Sequence, residues 1–283
     1  MTTIPLEGGA HVWVEEHGGG DRHVLSSAMG FSRYPAILAE QPTGAHVVTV
    51  QARGFGRSSR SAQPPAIGWL DQWADDVVAV ADALGIDRFV YTGVSHGAGI
   101  GWHLARRHPD RLRALVSVVG TPHDRDGDTS SSAGRREIVE NRRDPAVIER
   151  AMRTIGGPLD AAVDGPDRVA LRDAFVAEKV AAFLAMDDEE SRINQGMPYP
   201  EATDEASLRA VLAGVDLPVL VIAGMRDGVI SPQSTLRALT CVRGSVGVLF
   251  EDEGHFVADE RPERLVGPIA EFLAGLPVLE GAR

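Results

Sequence analysis

The spacing of apolar residues divides the chain into short buried runs and longer amphipathic stretches. Apolar and β-branched runs predict strands at 11–16, 23–28, 45–50, 89–91 and 112–119. Residues 69–84 repeat apolar side chains at helical spacing, and Gly85 ends that pattern. The alternation of strands and helices predicts an α/β fold with a mostly parallel central sheet.

The pattern changes in the middle of the chain. Residues 121–212 are polar, rich in arginine and aspartate, and helical in character, and no run among them predicts a strand. Strand patterns resume at 217–223 and 245–250. We therefore expect a core formed by residues 1–120 and 213–283, interrupted by a helical insertion.

A sharp, glycine-flanked turn joins the strand at 89–91 to the following helix, with the sequence Gly93-Val94-Ser95-His96-Gly97. A serine on such a turn is strained, and the residues two before and two after it must lack a Cβ. The turn would aim Ser95 Oγ at the helix N-terminus, where backbone N–H groups favour a developing negative charge. Taken alone the pattern is also typical of a structural serine, so the rest of the chain has to decide.

Two later side chains complete a candidate catalytic set. Asp227 follows the strand at 217–223, and His255 follows the strand at 245–250. The carboxyl ends of parallel strands gather at one edge of a sheet, where ligands and catalysts collect. A serine nucleophile needs a general base, and a carboxylate must hold the imidazole in the correct tautomer. Ser95, His255 and Asp227 supply these three roles.

A second aspartate competes for the role of the acid. Asp124 follows the strand at 112–119 and so also lies at the expected catalytic edge. It opens a charged stretch that is typical of a solvated surface. Asp227 is flanked by Gly224 and Gly228, which permit the tight loop that a buried acid requires. The sequence favours Asp227.

Composition excludes several classes of function. The chain has 28 basic and 40 acidic residues, a net charge of −12, which argues against nucleic acid and anionic membranes as partners. Cys241 is the only cysteine, so no intrachain disulfide or thiolate cluster is expected. The nine histidines show no metal-binding spacing, and no metal is expected. Without a secretory or membrane-spanning pattern, a cytoplasmic protein is expected.

A glycine-containing loop raises the question of a nucleotide cofactor. Gly54-Phe55-Gly56 follows a strand but lacks the third glycine of a dinucleotide fingerprint. A Ser/Pro-rich stretch follows it where that fingerprint requires a helix. We expect no cofactor.

Taken together, these motifs resemble those of the α/β-hydrolase fold superfamily over essentially the whole chain. The matching segments are the Ser95 turn, Gly224-Met225-Arg226-Asp227, Gly254-His255 and Arg53-Gly54-Phe55-Gly56-Arg57-Ser58. The resemblance implies helices on both faces of the sheet and a helical cap at 121–212 above the site. It also implies an oxyanion hole formed by the backbone N–H groups of Phe31 and His96.

Four positions bear on the subfamily. Gln51 stands where the superfamily loop usually has aspartate, and Met29 precedes Gly30 where many members have histidine. Serine at position 95 disfavours the haloalkane dehalogenases and epoxide hydrolases, which use aspartate there. Phe256 follows the histidine where the meta-cleavage carbon–carbon hydrolases typically have tryptophan, so that activity is secondary.

The resemblance implies a bacterial serine hydrolase that cleaves an ester or lactone of a small to medium organic substrate through an acyl-enzyme. Carbon–carbon bond hydrolysis, acyl transfer or perhydrolysis with the same triad is the alternative. A ligand-binding receptor with slow hydrolysis stays open, since the fold also hosts such proteins. The sequence leaves the substrate and the oligomeric state open.

We expect the remaining candidate site residues to have structural roles and not catalytic ones. We expect the His96 ring to be a pocket wall or packing residue, and the carboxylate runs 187–190 and 251–253 to be solvated faces. Apolar and aromatic side chains within the insertion are expected in its own core. These are Met152, Phe183, Met186 and Tyr199.

Overall fold

The computed structural model describes residues 1–61, 63–125, 130 and 133–277. At its centre is an eight-stranded sheet with the strand order β1-β2-β4-β3-β5-β6-β7-β8. The strands are β1 (Thr2–Pro5), β2 (His11–His17), β3 (His23–Ala28), β4 (His46–Gln51), β5 (Phe89–Val94), β6 (Leu112–Val118), β7 (Val219–Gly224) and β8 (Val246–Phe250).

The sheet is mostly parallel, as the sequence predicts. β1 pairs with β2 and β2 with β4 in antiparallel fashion, whereas all pairs from β4 through β8 are parallel. Val94 lies beside Val118, so β5 and β6 end at the same edge. β1 was not predicted, because only Ile4 of its four residues is buried and no apolar alternation can be seen in so short a segment.

Twelve α-helices are present in the part of the chain that the structure describes. They are α1 (Arg33–Ala36), α2 (Trp69–Ala83), α3 (His96–Arg107), α4 (Ala133–Glu140), α5 (Pro145–Gly156), α6 (Ala161–Asp164), α7 (Pro166–Ala185), α8 (Asp188–Arg192), α9 (Glu205–Ala213), α10 (Pro232–Cys241), α11 (Val257–Glu260) and α12 (Glu263–Ala274). None of these described helices is long and apolar enough to cross a membrane.

Helices cover both faces of the sheet because the strand side chains alternate between two apolar clusters. Tyr91 and Leu115 belong to the cluster that includes residues of α2, α3, α9 and α10. Val90 and Val116 point to the opposite face and join a cluster with residues of α11 and α12. The sheet is therefore buried on both sides, as an α/β fold requires.

The segment between β6 and β7 carries α4 to α9 and contains no strand among its described residues. It has a small apolar core of its own, which includes Ile138, Ile148, Met152 and Val176. Phe256, which follows His255 in the chain, packs into this core. The segment therefore contacts the part of the fold that carries the histidine.

α3 lies so close to the sheet that a glycine is required at its centre. A Cβ on Gly101 would lie 2.4 Å from Leu115 Cδ1 and 2.8 Å from Tyr91 Cδ1. We expect Gly101→Ala to lower the free energy of unfolding by about 1–3 kcal/mol, because the added methyl group overpacks this contact. Urea denaturation measures the change.

Gly275→Ala is the matched control. Gly275 caps α12 with φ −80° and ψ −8°, and a Cβ there would meet nothing closer than 3.5 Å. The substitution should raise the free energy of unfolding by no more than about 1 kcal/mol, through the lower entropy of the unfolded chain. Equal losses in the two variants would contradict the close packing of α3.

Candidate active site

Ser95 occupies a strained turn between β5 and α3. Its φ is 54° and its ψ is −117°, a conformation that residues with a Cβ rarely adopt. The turn closes only because its flanks are glycines: a Cβ on Gly93 would lie 2.3 Å from the Gly97 carbonyl carbon. The Ser95 N–H donates to the Val118 carbonyl at 3.0 Å, so the end of β6 also holds the serine.

The three candidate catalytic side chains meet at the carboxyl edge of the sheet. His255 Nε2 lies 2.8 Å from Ser95 Oγ, and His255 Nδ1 lies 2.8 Å from Asp227 Oδ2. The side chains of His255 and Asp227 are 7% and 1% exposed, so water has little access to this chain of hydrogen bonds. Such an arrangement can remove the proton from the serine hydroxyl during attack on a carbonyl carbon.

The backbone of its own loop holds Asp227. Its Oδ1 accepts hydrogen bonds from the N–H groups of Val229 at 2.7 Å and Ile230 at 2.9 Å. Oδ2 is therefore left to face His255, which fixes the orientation of the imidazole ring.

The competing acid, Asp124, points to a different element. Its carboxylate forms an ion pair with Arg237 and accepts hydrogen bonds from Ser234 Oγ at 2.9 Å and Ser231 Oγ at 3.0 Å. These partners belong to α10 or to its N-cap. The Asp124 side chain is 59% exposed, and its contacts anchor a surface loop to α10.

A cavity with a volume of about 330 Å³ opens beside Ser95. Phe31 and His96, whose N–H groups were predicted to form an oxyanion hole, both line it. So do Met152 and Phe183, but Tyr199 does not, since its ring is fully buried and its hydroxyl donates to the Trp102 carbonyl at 2.7 Å. The β6–β7 segment thus supplies part of the cavity wall.

The His96 ring has no hydrogen-bond partner for Nε2 among the described residues. Burial, followed by the charge of Arg135, lowers the pKa of His96 to about 4. The ring is therefore neutral at pH 7 and forms a wall of the cavity, where the sequence predicted it.

Gln51 ties two loops of the site together. Its Oε1 accepts from the N–H of Arg57 at 2.7 Å, and its Nε2 donates to the Met29 carbonyl at 3.2 Å. Met29 precedes Gly30 and Phe31, so this amide supports the loop that was predicted to supply an oxyanion donor. A neutral amide can bridge an N–H group and a carbonyl, whereas a carboxylate could only accept.

The expectation that the carboxylate run 251–253 is a solvated face was wrong for Glu253, whereas the Glu251 side chain is 87% exposed. The Glu253 side chain is completely buried and forms ion pairs with Arg168 at 2.6 Å and with Arg261 and Arg264. Arg168 comes from α7, far along the chain, so the local charge pattern gave no sign of the pairing.

The other predicted solvated run, 187–190, is exposed only in part. The side chains of Asp187 and Asp188 are each 56% exposed. The Glu190 side chain is 13% exposed, because it packs over the loop that follows β4. It accepts a hydrogen bond from the Gly56 N–H at 2.6 Å.

Two ion pairs join α7 to the histidine loop, defined here as residues 251–256, and to α11 beyond it. Arg168 pairs with Glu253, and Arg172 pairs with Glu260 and donates to the Gly157 carbonyl at 3.0 Å. The side chains of Arg172 and Glu260 are 5% and 1% exposed. These α7 ion pairs hold the loop on both sides of His255 and so help to set its position.

Known proteins resemble this chain in sequence and in fold. A family model described as the alpha/beta hydrolase fold matches residues 16–142. Epoxide hydrolase A of Mycobacterium tuberculosis is 26% identical over 88% of each chain, and a 2-hydroxymuconate semialdehyde hydrolase of Pseudomonas putida is 28% identical over 82% of each. The crystal structure of a hydrolase from Pseudomonas aeruginosa PA01 has a TM-score of 0.76 at 23% identity, covering 97% of this chain and 98% of that one.

We expect Arg172→Met to lower the free energy of unfolding by about 3–5 kcal/mol, because Glu260 would then be a buried carboxylate without its cation. The double variant Arg172→Met/Glu260→Leu should recover part of this loss. Chemical denaturation of both variants measures the difference.

Arg153→Met serves as the control for this pair. Arg153 is 47% exposed and pairs on the surface with Glu149 and Asp173. Its loss should cost no more than about 1 kcal/mol. If Arg153→Met and Arg172→Met were equally destabilising, the buried pair would not be holding the histidine loop.

Proposed function

We propose that this chain is a serine hydrolase of the α/β-hydrolase fold superfamily that cleaves an ester or lactone of a small to medium organic substrate. The observation that carries the proposal is the continuous hydrogen bonding from Asp227 through His255 to Ser95 at the edge of a cavity. The proposed substrate is a small molecule bound in that cavity.

In the first half of the proposed reaction, Ser95 Oγ attacks the carbonyl carbon of the substrate while His255 Nε2 takes the hydroxyl proton. Asp227 stabilises the imidazolium that results. The backbone N–H groups of Phe31 and His96 donate to the oxyanion of the tetrahedral intermediate. The carbon–oxygen bond of the ester then breaks, and His255 gives its proton to the leaving alkoxide.

The second half releases the acid. A water molecule loses a proton to His255 and attacks the carbonyl carbon of the acyl-enzyme. The Ser95 ester bond breaks, and the proton on His255 returns to Ser95 Oγ. Every proton in this scheme passes through His255, between Ser95 Oγ, the leaving alkoxide and the attacking water.

We also propose that residues 121–212 form a cap over a core of residues 1–120 and 213–283. The separate apolar cluster of Ile138, Ile148 and Met152 supports this division, and Met152 also lines the cavity. In this arrangement the cap selects the substrate, while the loops of the core perform the chemistry.

Two relatives suggest other reactions. The relative named epoxide hydrolase A points to epoxide opening, but serine at position 95 argues against it, because the epoxide hydrolases of this fold use aspartate as nucleophile. The relative named 2-hydroxymuconate semialdehyde hydrolase favours carbon–carbon bond hydrolysis as the second candidate. Turnover of a β-diketone-like substrate without turnover of any ester would favour that reaction.

We expect a fluorophosphonate probe to label Ser95, because a serine activated by a base beside oxyanion donors reacts quickly. Ser95→Ala should abolish both the labelling and the hydrolysis of 4-nitrophenyl esters of graded chain length and of lactones. Ser32→Ala, which removes another hydroxyl from the cavity wall, should leave the labelling in place. Labelling that persists in Ser95→Ala would place the nucleophile elsewhere, and tight binding without turnover would favour a receptor.

We expect Asp227→Asn to lower kcat on the order of 10⁴-fold, the size of effect seen when a serine protease loses its acid and the imidazole adopts the wrong tautomer. Asp124→Asn should change kcat little, because the Asp124 carboxylate contacts α10 and not His255. Steady-state kinetics gives both values, with circular dichroism as the folding control. A crippled Asp124→Asn beside a nearly normal Asp227→Asn would reverse the assignment.

A further inference from the structure

Lys179 is the only lysine of the chain, and it lies in the wall of the cavity that contains Ser95. Phe175 and Phe183, one helical turn before and after it on α7, line the same cavity. A face of α7 that is otherwise aromatic thus presents one ammonium group to the space where a substrate would bind.

The contacts of Lys179 leave its ammonium able to accept a further partner. Its Nζ lies 3.8 Å from Asp259 Oδ1, beyond hydrogen-bond distance, and 4.7 Å from the centre of the Phe175 ring. Nζ donates no hydrogen bond within the part of the chain that the structure describes. Arg168 on the same helix, by contrast, donates to Glu253 at 2.6 Å.

The charges of the cavity wall favour an anion. Among the described residues, its cationic side chains are Arg135 and Lys179, and its carboxylate is Asp259. Burial lowers the pKa of Arg135 to about 10, so the guanidinium keeps its charge at pH 7. Burial raises the pKa of Asp259, and the charge of Lys179 opposes that shift. In a chain of net charge −12, the described residues of this wall include two cationic side chains and one carboxylate.

The field of these cations reaches the Ser95 turn. Both Arg135 and Lys179 contribute to the lowered pKa of His96, the residue that follows Ser95. Ser95 and Lys179 also line the same cavity, so one bound molecule could contact both of them.

We propose that Lys179 binds a carboxylate of the substrate, remote from the bond that is cleaved, so that the preferred substrates are esters or lactones carrying one negative charge. This inference rests on the proposed function. A substrate carboxylate at ordinary hydrogen-bond distance would interact with Nζ more strongly than Asp259 does at 3.8 Å.

The test compares anionic and neutral esters in pairs. Mono-4-nitrophenyl glutarate is paired with 4-nitrophenyl butyrate, and 4-carboxyphenyl butyrate with phenyl butyrate, which places the carboxylate on either side of the ester. For each pair the ratio of kcat/KM, anionic over neutral, is measured in the wild type and in Lys179→Met. Intrinsic differences between the esters cancel when the two proteins are compared.

In at least one pair we expect Lys179→Met to lower the ratio by about 10-fold, the size expected of a partly exposed charged hydrogen bond. The loss should appear mainly in KM, because the interaction is remote from the reacting carbonyl. Lys179→Arg should retain most of the preference. Arg209→Met removes an equal charge from an exposed position on α9 and should leave both ratios unchanged.

Binding to a Ser95→Ala background tests the same inference without turnover. Calorimetry should show that monomethyl glutarate binds about 10-fold more tightly than dimethyl glutarate, and that adding Lys179→Met removes the difference. Unchanged ratios in both ester pairs, or equal or undetectable binding of the two glutarates, would overturn the carboxylate site. Hydrolysis of 4-nitrophenyl butyrate that depends on Ser95 would still leave the proposed hydrolase intact.

Discussion

The close approach of backbone segments around Ser95 is the constraint on which the fold and the site both depend. A Cβ on Gly97 would lie 2.7 Å from the Ser27 carbonyl oxygen, and one on Gly120 would lie 2.6 Å from the Ser95 carbonyl oxygen. β3, β5 and β6 therefore all restrict the turn. A strained residue costs about 1–3 kcal/mol and persists only where its surroundings over-determine it. Here the parallel sheet does so, and Ser95 Oγ is held at its edge before any substrate binds.

α7 makes the position of His255 depend on a helix of the β6–β7 segment. Buried ions lose their hydration and recover that free energy only when their partners are in place. Glu253 and Glu260, on either side of His255, therefore favour the one arrangement in which Arg168 and Arg172 reach them. These ion pairs thus link the helix that lines the cavity to the loop that carries the proposed base. A poorly fitting substrate that displaced α7 would therefore also displace the imidazole ring of His255.

The sequence predicted the features that depend on residues close together in the chain. It missed the contacts between residues that are far apart in the chain. Glycine spacing identified the Ser95 turn, and apolar periodicity identified most strands and helices of the sheet layers, since both signals lie within a few residues of one another. The pairing of Glu253 with Arg168 could not be predicted, because the two residues are 85 positions apart. The same holds for Tyr199, which was expected in the core of the insertion and is buried against Trp102 of α3. Ion pairs and packing contacts between distant residues produce no periodic pattern of residue types in the sequence.

The two aspartates at the carboxyl edge of the sheet show why the partners of a carboxylate matter more than its place in the fold. Arg237 neutralises Asp124, which leaves little negative charge for a neighbouring imidazolium. Within the described structure Asp227 is bound only by neutral backbone N–H groups and by His255. Peptide dipoles orient the Asp227 carboxylate without cancelling its charge, so its full negative charge acts on the ring. An acid that must stabilise a transient cation in a buried site requires donors of that kind.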